Sequence, residues 1–424
     1  MARTLYLKIF FGGCFLIGVA IFAIFSIYWG ALWESPTRPL QGWVIDFDGD
    51  QIGTTITQGL TSAAMVQAGG AHVAWTVLPS SDFPNGPSDV AEKVLNEKTW
   101  IAITINANSS SQLQASLANP EPSYDPTKVL SVYAVEARNE NAFRLLTRPT
   151  AQQELGILTS QFALQLAGDV LNLPVNITDV LANSPQTLLQ PVGYQIFNLR
   201  PFDHSLASAV TFVGLIYLLV LSFFLVMIGK SARDASGLET LLTTRSLILV
   251  RLGTAFVGYF FLSLFYSLLS RAFQLPFDRF FGDAGFVIFW MLNWIGMLSL
   301  GLALESMMTI LTVRFIPFFM LLWIISNVSV CFLPIDILPG IFKYGYAFPF
   351  YNVSRAVRAI VFGTRNTLGM NFGILIAWVV LSCITLSLFQ VIVSRRQQRA
   401  ERQLQLQQDS SIILEDKRPS LESA

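Results

Sequence analysis

Six long apolar blocks, each carrying at most one charged residue, constrain this chain more than any other feature. They run from Ile9 to Trp29, Leu206 to Ile228, Ser246 to Leu269, Phe286 to Leu311, Phe315 to Leu333 and Phe372 to Val393. About 20 apolar residues in a helix cover the roughly 30 Å hydrocarbon layer of a bilayer. Six such blocks in one chain exclude a soluble fold and predict a polytopic α-helical membrane protein with six transmembrane helices. Composition agrees, since 53% of the residues are apolar and only 13% charged, roughly half the charge of a soluble domain. Arg3 and Lys8 precede the first block, but its length and the lack of a small-x-small site over Ser26–Ala31 make it a retained anchor rather than a cleaved signal.

Positive charge sets the expected orientation. Residues 1–8 form a cytoplasmic N-terminus and 9–29 the first span. Alternation then places Lys230, Arg233 and Arg245 in a cytoplasmic loop, Arg314 in a tight cytoplasmic turn, and Arg395, Arg396, Arg399 and Arg402 just inside the last span. Residues 206–393 hold five spans and 394–424 a polar cytoplasmic tail, rich in Gln, Ser and charge, that reads as a helix extension passing into disorder. The stretch Pro334–Asn371 breaks the pattern, because it falls outside yet carries Lys343, Arg355, Arg358 and Arg365.

Residues 30–205 are long enough for an independent extracellular domain with its own core. This segment is acidic, with 16 Asp plus Glu against 8 Lys plus Arg from Gly30 to Ser205. Over the whole chain 27 basic residues balance 27 acidic ones, which gives nucleic acid no reason to bind. Its periodicity alternates between strand and helix: strands at Val44–Phe47, Ala71–Leu78, Trp100–Ile105 and Lys128–Glu136, helices at Thr55–Ala68, Ser88–Glu97, Ser109–Ala118 and Glu140–Val170. The residues from Leu173 to Pro201 are punctuated by Pro and Asn. A large α/β domain, tethered at both ends to membrane helices, is the expectation. Asn108-Ser-Ser and Asn176-Ile-Thr are glycosylation candidates there, whereas Asn327-Val-Ser falls inside a span and Asn352-Val-Ser too near the bilayer.

Several motifs invite chemistry and fail on a required residue. Asp46, Asp48 and Asp50 alternate beside Gly49, but an EF-hand loop begun at Asp46 has Gln51 and Thr57 where Gly and Glu are needed, so an acidic strand end is the better reading. Asp203, His204 and Ser205 are adjacent, and a catalytic triad converges from separate segments. Gly340 and Gly345 have phosphate-loop spacing, with Tyr346 in place of the lysine. Cys14, Cys331 and Cys383 all lie in apolar stretches, which leaves the large domain without a disulfide or a cysteine metal site. No catalytic residue, metal site or cofactor is expected, and a non-enzymatic role follows.

Intramembrane charge is the stronger signal, because an ionisable group at bilayer depth is costly and faces a partner or a cavity. Arg251 lies about 9 Å inward from Arg245, and Glu305 about 13 Å before Arg314, so the two reach comparable depth and are expected to pair. The alternative sends Arg251 to lipid phosphate and leaves Glu305 in a helix–helix hydrogen bond. Between Tyr351 and Phe362, Val353, Val357, Ile360 and Val361 share one helical face while Arg355 and Arg358 point away. This predicts an amphipathic helix at the outer interface, with its basic side on lipid phosphates or on the acidic domain, serving as an anchor or a substrate gate.

Gly42-Trp-Val-Ile-Asp-Phe-Asp at the domain start and Tyr346-Ala-Phe-Pro-Phe-Tyr-Asn-Val-Ser before the last span, with one span, a large outer domain and five further spans, resemble the fungal nitrosoguanidine-resistance family over nearly the whole chain. That family is similar to the bacterial phage-infection-protein family and, in its membrane half, to type-2 permeases of ATP-binding-cassette exporters. The resemblance implies a multi-pass plasma-membrane protein connected with tolerance of toxic amphipathic compounds and with lipid distribution between leaflets. It also implies a homodimer and, without a nucleotide motif, a separate ATPase or membrane-domain partner. It brings no site residues. A permease-like exporter is the leading expectation. A non-transporting regulator or scaffold of lipid asymmetry is the alternative, and a receptor or adhesion module needs fewer spans than these.

Overall fold

The computed structural model describes residues 2–62, 72–172 and 175–416. It comprises a helical bundle and a mixed α/β domain inserted after the first helix. Helix α1, Ala2–Leu32, is apolar beyond Lys8 and runs through a π turn at Ile21–Phe25. No residue of its first part, Ala2–Ala20, is buried by the chain; Ile27, Tyr28 and Ala31 near its end pack on the bundle.

The α/β domain follows: β1 Leu40–Asp46, α2 Gln51–Thr61, β2 Val73–Leu78, α3 Pro87–Leu95, β3 Ile101–Ile105, α4 Ser109–Ala118, β4 Leu130–Ala134, α5 Arg148–Asp169 and β5 Tyr194–Asn198. The strands form one sheet in the order β2-β1-β3-β4-β5. Strand β1 is parallel to both β2 and β3, β3 and β4 are antiparallel, and β4 and β5 are parallel. Alternation along β1 decides the layering. Val44 faces a core shared with Ile56 of α2 and Leu155 of α5, and Ile45 faces a smaller one with Val90 and Val94 of α3. All of β3 is buried, as a central strand covered on both faces requires.

The expected strand–helix alternation is present among the described residues, with two main differences. Strand β1 begins at Leu40, ahead of the expected Val44, because Gln41 and Gly42 continue its register against β2 and β3. The punctuated stretch contains β5, a short alternating run that the β4 edge stabilises. The end of the helix expected at Thr55–Ala68, the start of the Ala71 strand, Leu173 and the tail beyond Asp416 lie outside the described residues.

The bundle consists of α6 Ala209–Ser236, α7 Thr244–Ala272, α8 Ala284–Val328, α9 Pro349–Phe362 and α10 Leu368–Asp416. Helix α8 cannot be straight. A Cβ on Gly296 would lie 3.2 Å from Val353, while Asn327 Oδ1 accepts from the Phe350 amide at 3.1 Å. Residues 296 and 327 would be separated by about 46 Å along a straight helix, yet both touch the same turn of α9. The helix therefore doubles back between Gly296 and Asn327 into a long arm that begins at Ala284 and a short arm that ends at Val328. The tight turn expected at Arg314 falls within that interval.

Among the described residues five helices are long and apolar enough to cross a membrane, and the short arm of α8 falls below that length. The block expected to reach Leu333 stops being helical at Val328. Asn327 and Ser329 turn their side chains back onto the Trp323 and Ile325 carbonyls, and Pro334 closes off continuation.

Helix α9 corrects the picture of a helix lying on the lipid interface. Of its 14 residues only Tyr351 and Arg355 escape full burial, because the helix is sandwiched between the domain and the bundle. Its apolar face packs on α8, and its basic face meets the domain. Proline at its first turn and Gly363 in the left-handed region at its end delimit it.

Candidate functional site

The strongest polar constellation lies inside the bundle, toward the end remote from the α/β domain. Glu305 of α8 shares one oxygen between Arg233 Nη2 of α6 at 2.8 Å and Arg251 Nε of α7 at 2.7 Å. Arg251 also donates to Gln390 Oε1 of α10 at 2.5 Å, to the Glu305 carbonyl at 2.9 Å and to Thr309 Oγ1 at 2.9 Å. Relative exposure is 4% for Glu305 and 5% for each arginine. Four helices thus meet at one carboxylate held by two cations. Tyr259 approaches from α7, donating to the Ser222 carbonyl at 3.0 Å, and Gly301 leaves room for it, since a Cβ there would be 2.0 Å from the phenol oxygen.

The cluster separates two cavities. One, of about 780 Å³, opens at the end of the bundle and is lined by Lys230, Arg233, Arg251, Arg314 and Gln390, with Leu242 and Met308 among its apolar walls. The other, about 210 Å³, lies between α6 and α7 against Leu225, Ile228, Ala255 and Tyr259, with Arg233, Arg251 and Glu305 on its polar side. The sequence-level pair Arg251 and Glu305 is in direct contact here. Sequence reasoning missed Arg233, which it assigned to a loop, and Gln390. Their signals were a basic residue one turn beyond an apolar block and a lone amide near the end of another.

The second constellation joins the domain to the bundle. Arg355 of α9 grips Glu97 with two hydrogen bonds, at 2.9 and 2.5 Å. Arg358 binds Glu140 at 2.6 Å and donates to the Ala137 carbonyl at 2.9 Å. The positive charge of this segment is thereby met by the acidic domain. Burial pulls the Arg355 guanidinium down, but Glu97 outweighs it and the net shift is upward. Burial pushes Glu140 up, and Arg358 more than offsets that, so its carboxyl stands below the usual range. Arg138 stacks 3.4 Å above the Trp100 ring, and its pKa falls to about 10 because burial outweighs Glu97 and Asp336.

The other sequence candidates serve structure. Asp46 accepts from the amides of Asp48 and Gly49, Asp48 from the amide and hydroxyl of Ser110, and Asp50 from the amide of Gln51, so the three carboxylates tie a turn and start α2. Among the described residues no group of three or more His, Cys, Asp or Glu is placed to hold a metal ion. Asp203 pairs with Arg279 at 2.9 and 3.0 Å, and His204 Nδ1 accepts from the Leu206 amide at 3.2 Å; the two side chains face different partners. Gly345 packs against Val330, where a Cβ would lie 2.5 Å from the valine Cβ. Asn108 and Asn176 are exposed on the domain. Asn327 and Asn352 bond to backbone within the fold.

No solved structure matches this chain. It is 27% identical over 429 residues to an uncharacterized endoplasmic reticulum membrane protein of Saccharomyces cerevisiae, an alignment covering 93% of this chain and 81% of the relative. The fold and the comparisons together make it a multi-pass membrane protein with an inserted mixed-sheet domain. Residues 13–384 match the family model described as "Protein of unknown function (DUF3533)", and the chain belongs to that family.

Proposed function

We propose that this protein is a permease-like, non-enzymatic carrier that moves amphipathic compounds, lipids among them, across the membrane, with Glu305 as its coupling residue. The supporting observation is the single carboxylate shared by two buried arginines between two cavities. Such a group is costly at bilayer depth, and a proton, a cation or an anionic headgroup competing for one partner would shift the balance between α6 and α7. In this reading the short arm of α8 completes six crossings. The basic end of the bundle lies in the cytoplasm with both termini, and the domain lies on the far side. That far side is lumenal or extracellular. The name of the yeast relative favours the endoplasmic reticulum over the plasma membrane that the nitrosoguanidine-resistance resemblance implies. Energy comes from an ion gradient or a separate ATPase, and a homodimer is the assembly that the permease resemblance implies.

The test is the full-length protein in liposomes, with movement of a fluorescent lipid and of a toxic amphiphile measured with and without an ion gradient. Gradient-dependent movement lost in Glu305→Gln is the expected result. Absence of movement under every condition would overturn the carrier reading. A non-transporting regulator of lipid asymmetry would then stand, which the clamping of the domain onto the bundle through Arg355 and Arg358 favours.

A further inference from the structure

A cavity of about 510 Å³ lies in the seam between the α/β domain, α9 and α10, at the opposite end of the bundle from Glu305. Its polar wall carries Arg138, Arg355, Arg358 and Arg365 against Glu97 and Asp336. Counting Glu140 behind Arg358, four cations face three carboxylates, leaving one positive charge in excess.

The arginines are unequally satisfied. Arg355 and Arg358 are taken up by close ion pairs. Arg138 has one good hydrogen bond, from Nη1 to the Thr99 carbonyl at 2.8 Å. Its two carboxylate neighbours stand off, Glu97 at 4.0 Å from Nε and Asp336 at 3.9 Å from Nη2, beyond hydrogen-bond length. Trp100 holds the guanidinium flat and in place. Arg365 is exposed at the rim and has no ion-pair partner among the described residues. A fixed, nearly buried guanidinium with an unfilled edge is suited to an anionic oxygen, which forms short charge-assisted bonds to it.

The remaining wall is apolar and leads toward lipid. Val330 and Leu333 line the inside, and Met370 and Ile374 line it from α10, itself one of the helices able to cross a membrane. Met370 is exposed on the bundle surface. A soluble anion would have no use for this side, whereas an acyl chain lying along α10 would place its headgroup beside Arg365 and Arg138.

We propose that the seam cavity binds an anionic amphiphile, a phosphate- or carboxylate-headed lipid, with Arg138 and Arg365 on the headgroup and Met370 and Ile374 along the chain. The site goes beyond the carrier reading and needs no movement across the membrane. Loss of transport with seam binding intact would remove the one and leave the other.

The experiment is a binding titration of the full-length protein in an uncharged detergent with dioctanoyl phosphatidic acid, dioctanoyl phosphatidylcholine and inorganic phosphate. Phosphatidic acid is expected to bind at least tenfold more tightly than either of the others. Arg138→Gln and Arg365→Gln should each weaken it about tenfold, the scale of one lost charge-assisted hydrogen bond. Arg365 is exposed, so its variant tests the site even where Arg138→Gln does not fold. Equal affinity in wild type and Arg365→Gln, or equal affinity for the two lipids, would overturn the proposal. Phosphate binding as tight as phosphatidic acid would make it a site for a free anion and overturn it as well.

Discussion

Replacing Glu305 by Gln should destabilise the bundle by several kcal/mol. The carboxylate is held by Arg233 at 2.8 Å and Arg251 at 2.7 Å, all three groups being buried. Removing its charge leaves the Arg251 guanidinium on a neutral amide oxygen, which still accepts a hydrogen bond but carries no compensating charge, and leaves Arg233 with only the more distant Glu239, 3.6 Å from its Nε. Breaking a buried ion pair from one side costs about 3–5 kcal/mol, most of it the uncompensated charge left behind. At about 2–4 °C per kcal/mol for a chain of a few hundred residues, the melting temperature should fall by roughly 10 °C. The assay is thermal unfolding of the detergent-solubilised protein, followed by intrinsic fluorescence, for wild type, Glu305→Gln, Arg251→Gln and the double variant. Because the double variant removes both members of the closer pair, it should melt well above the sum of the two single losses, with coupling of about 2 kcal/mol or more. A melting temperature within a degree of wild type in Glu305→Gln, or additive losses, would refute the claim that these charges depend on one another.

Other perturbations follow from the same packing. Burial raises Glu154 to about 7 despite the 2.6 Å bond from Trp75 Nε1, so the folded state holds a proton that the unfolded chain releases near its ordinary value of 4.5. Stability from this group is present at low pH and falls as pH rises from about 4.5 to 7; Glu154→Gln should raise the melting temperature at pH 8 and leave it unchanged at pH 4, and equal effects at both would count against a buried acid. Gly301→Ala should cost about 1–3 kcal/mol by overpacking against Tyr259, and Tyr259→Phe in the same chain should recover part of it in the same melting assay; no loss would mean the helices part more easily than their contact implies. Translation into microsomes should add glycans removable by Asn108→Gln and Asn176→Gln but not by Asn327→Gln, and unmodified protein would reverse the proposed placement of the domain.

Much of the architecture is legible in the order of residues. An apolar block of twenty residues has few fates, which is why five of the six expected blocks fall in helices long enough to cross a membrane, and Ser109–Ala118 is a helix with the expected bounds because its polarity pattern is local. Depth along two such blocks was enough to bring Arg251 and Glu305 to one level. The same reasoning placed Arg233 in a loop, because hydropathy stops at Ile228 although α6 continues to Ser236 and carries Arg233 back against Glu305. Strand β5 is five residues long and pairs with a strand sixty residues earlier, a relation with no local signature.

By itself the sequence determined that the chain is a helical membrane protein with an α/β insertion, since burial in lipid and sheet periodicity act on neighbouring residues. Tertiary structure decided the antiparallel step from β3 to β4, the sandwiching of α9, the reversal within α8 and the sharing of Glu305 between two arginines. Each of these depends on which distant surface meets a given face. Helix α9 shows the reason most directly: its pattern of apolar and basic residues is equally suited to a lipid interface, and only the presence of Glu97 and Glu140 opposite Arg355 and Arg358 turns it into a buried joint between domain and bundle.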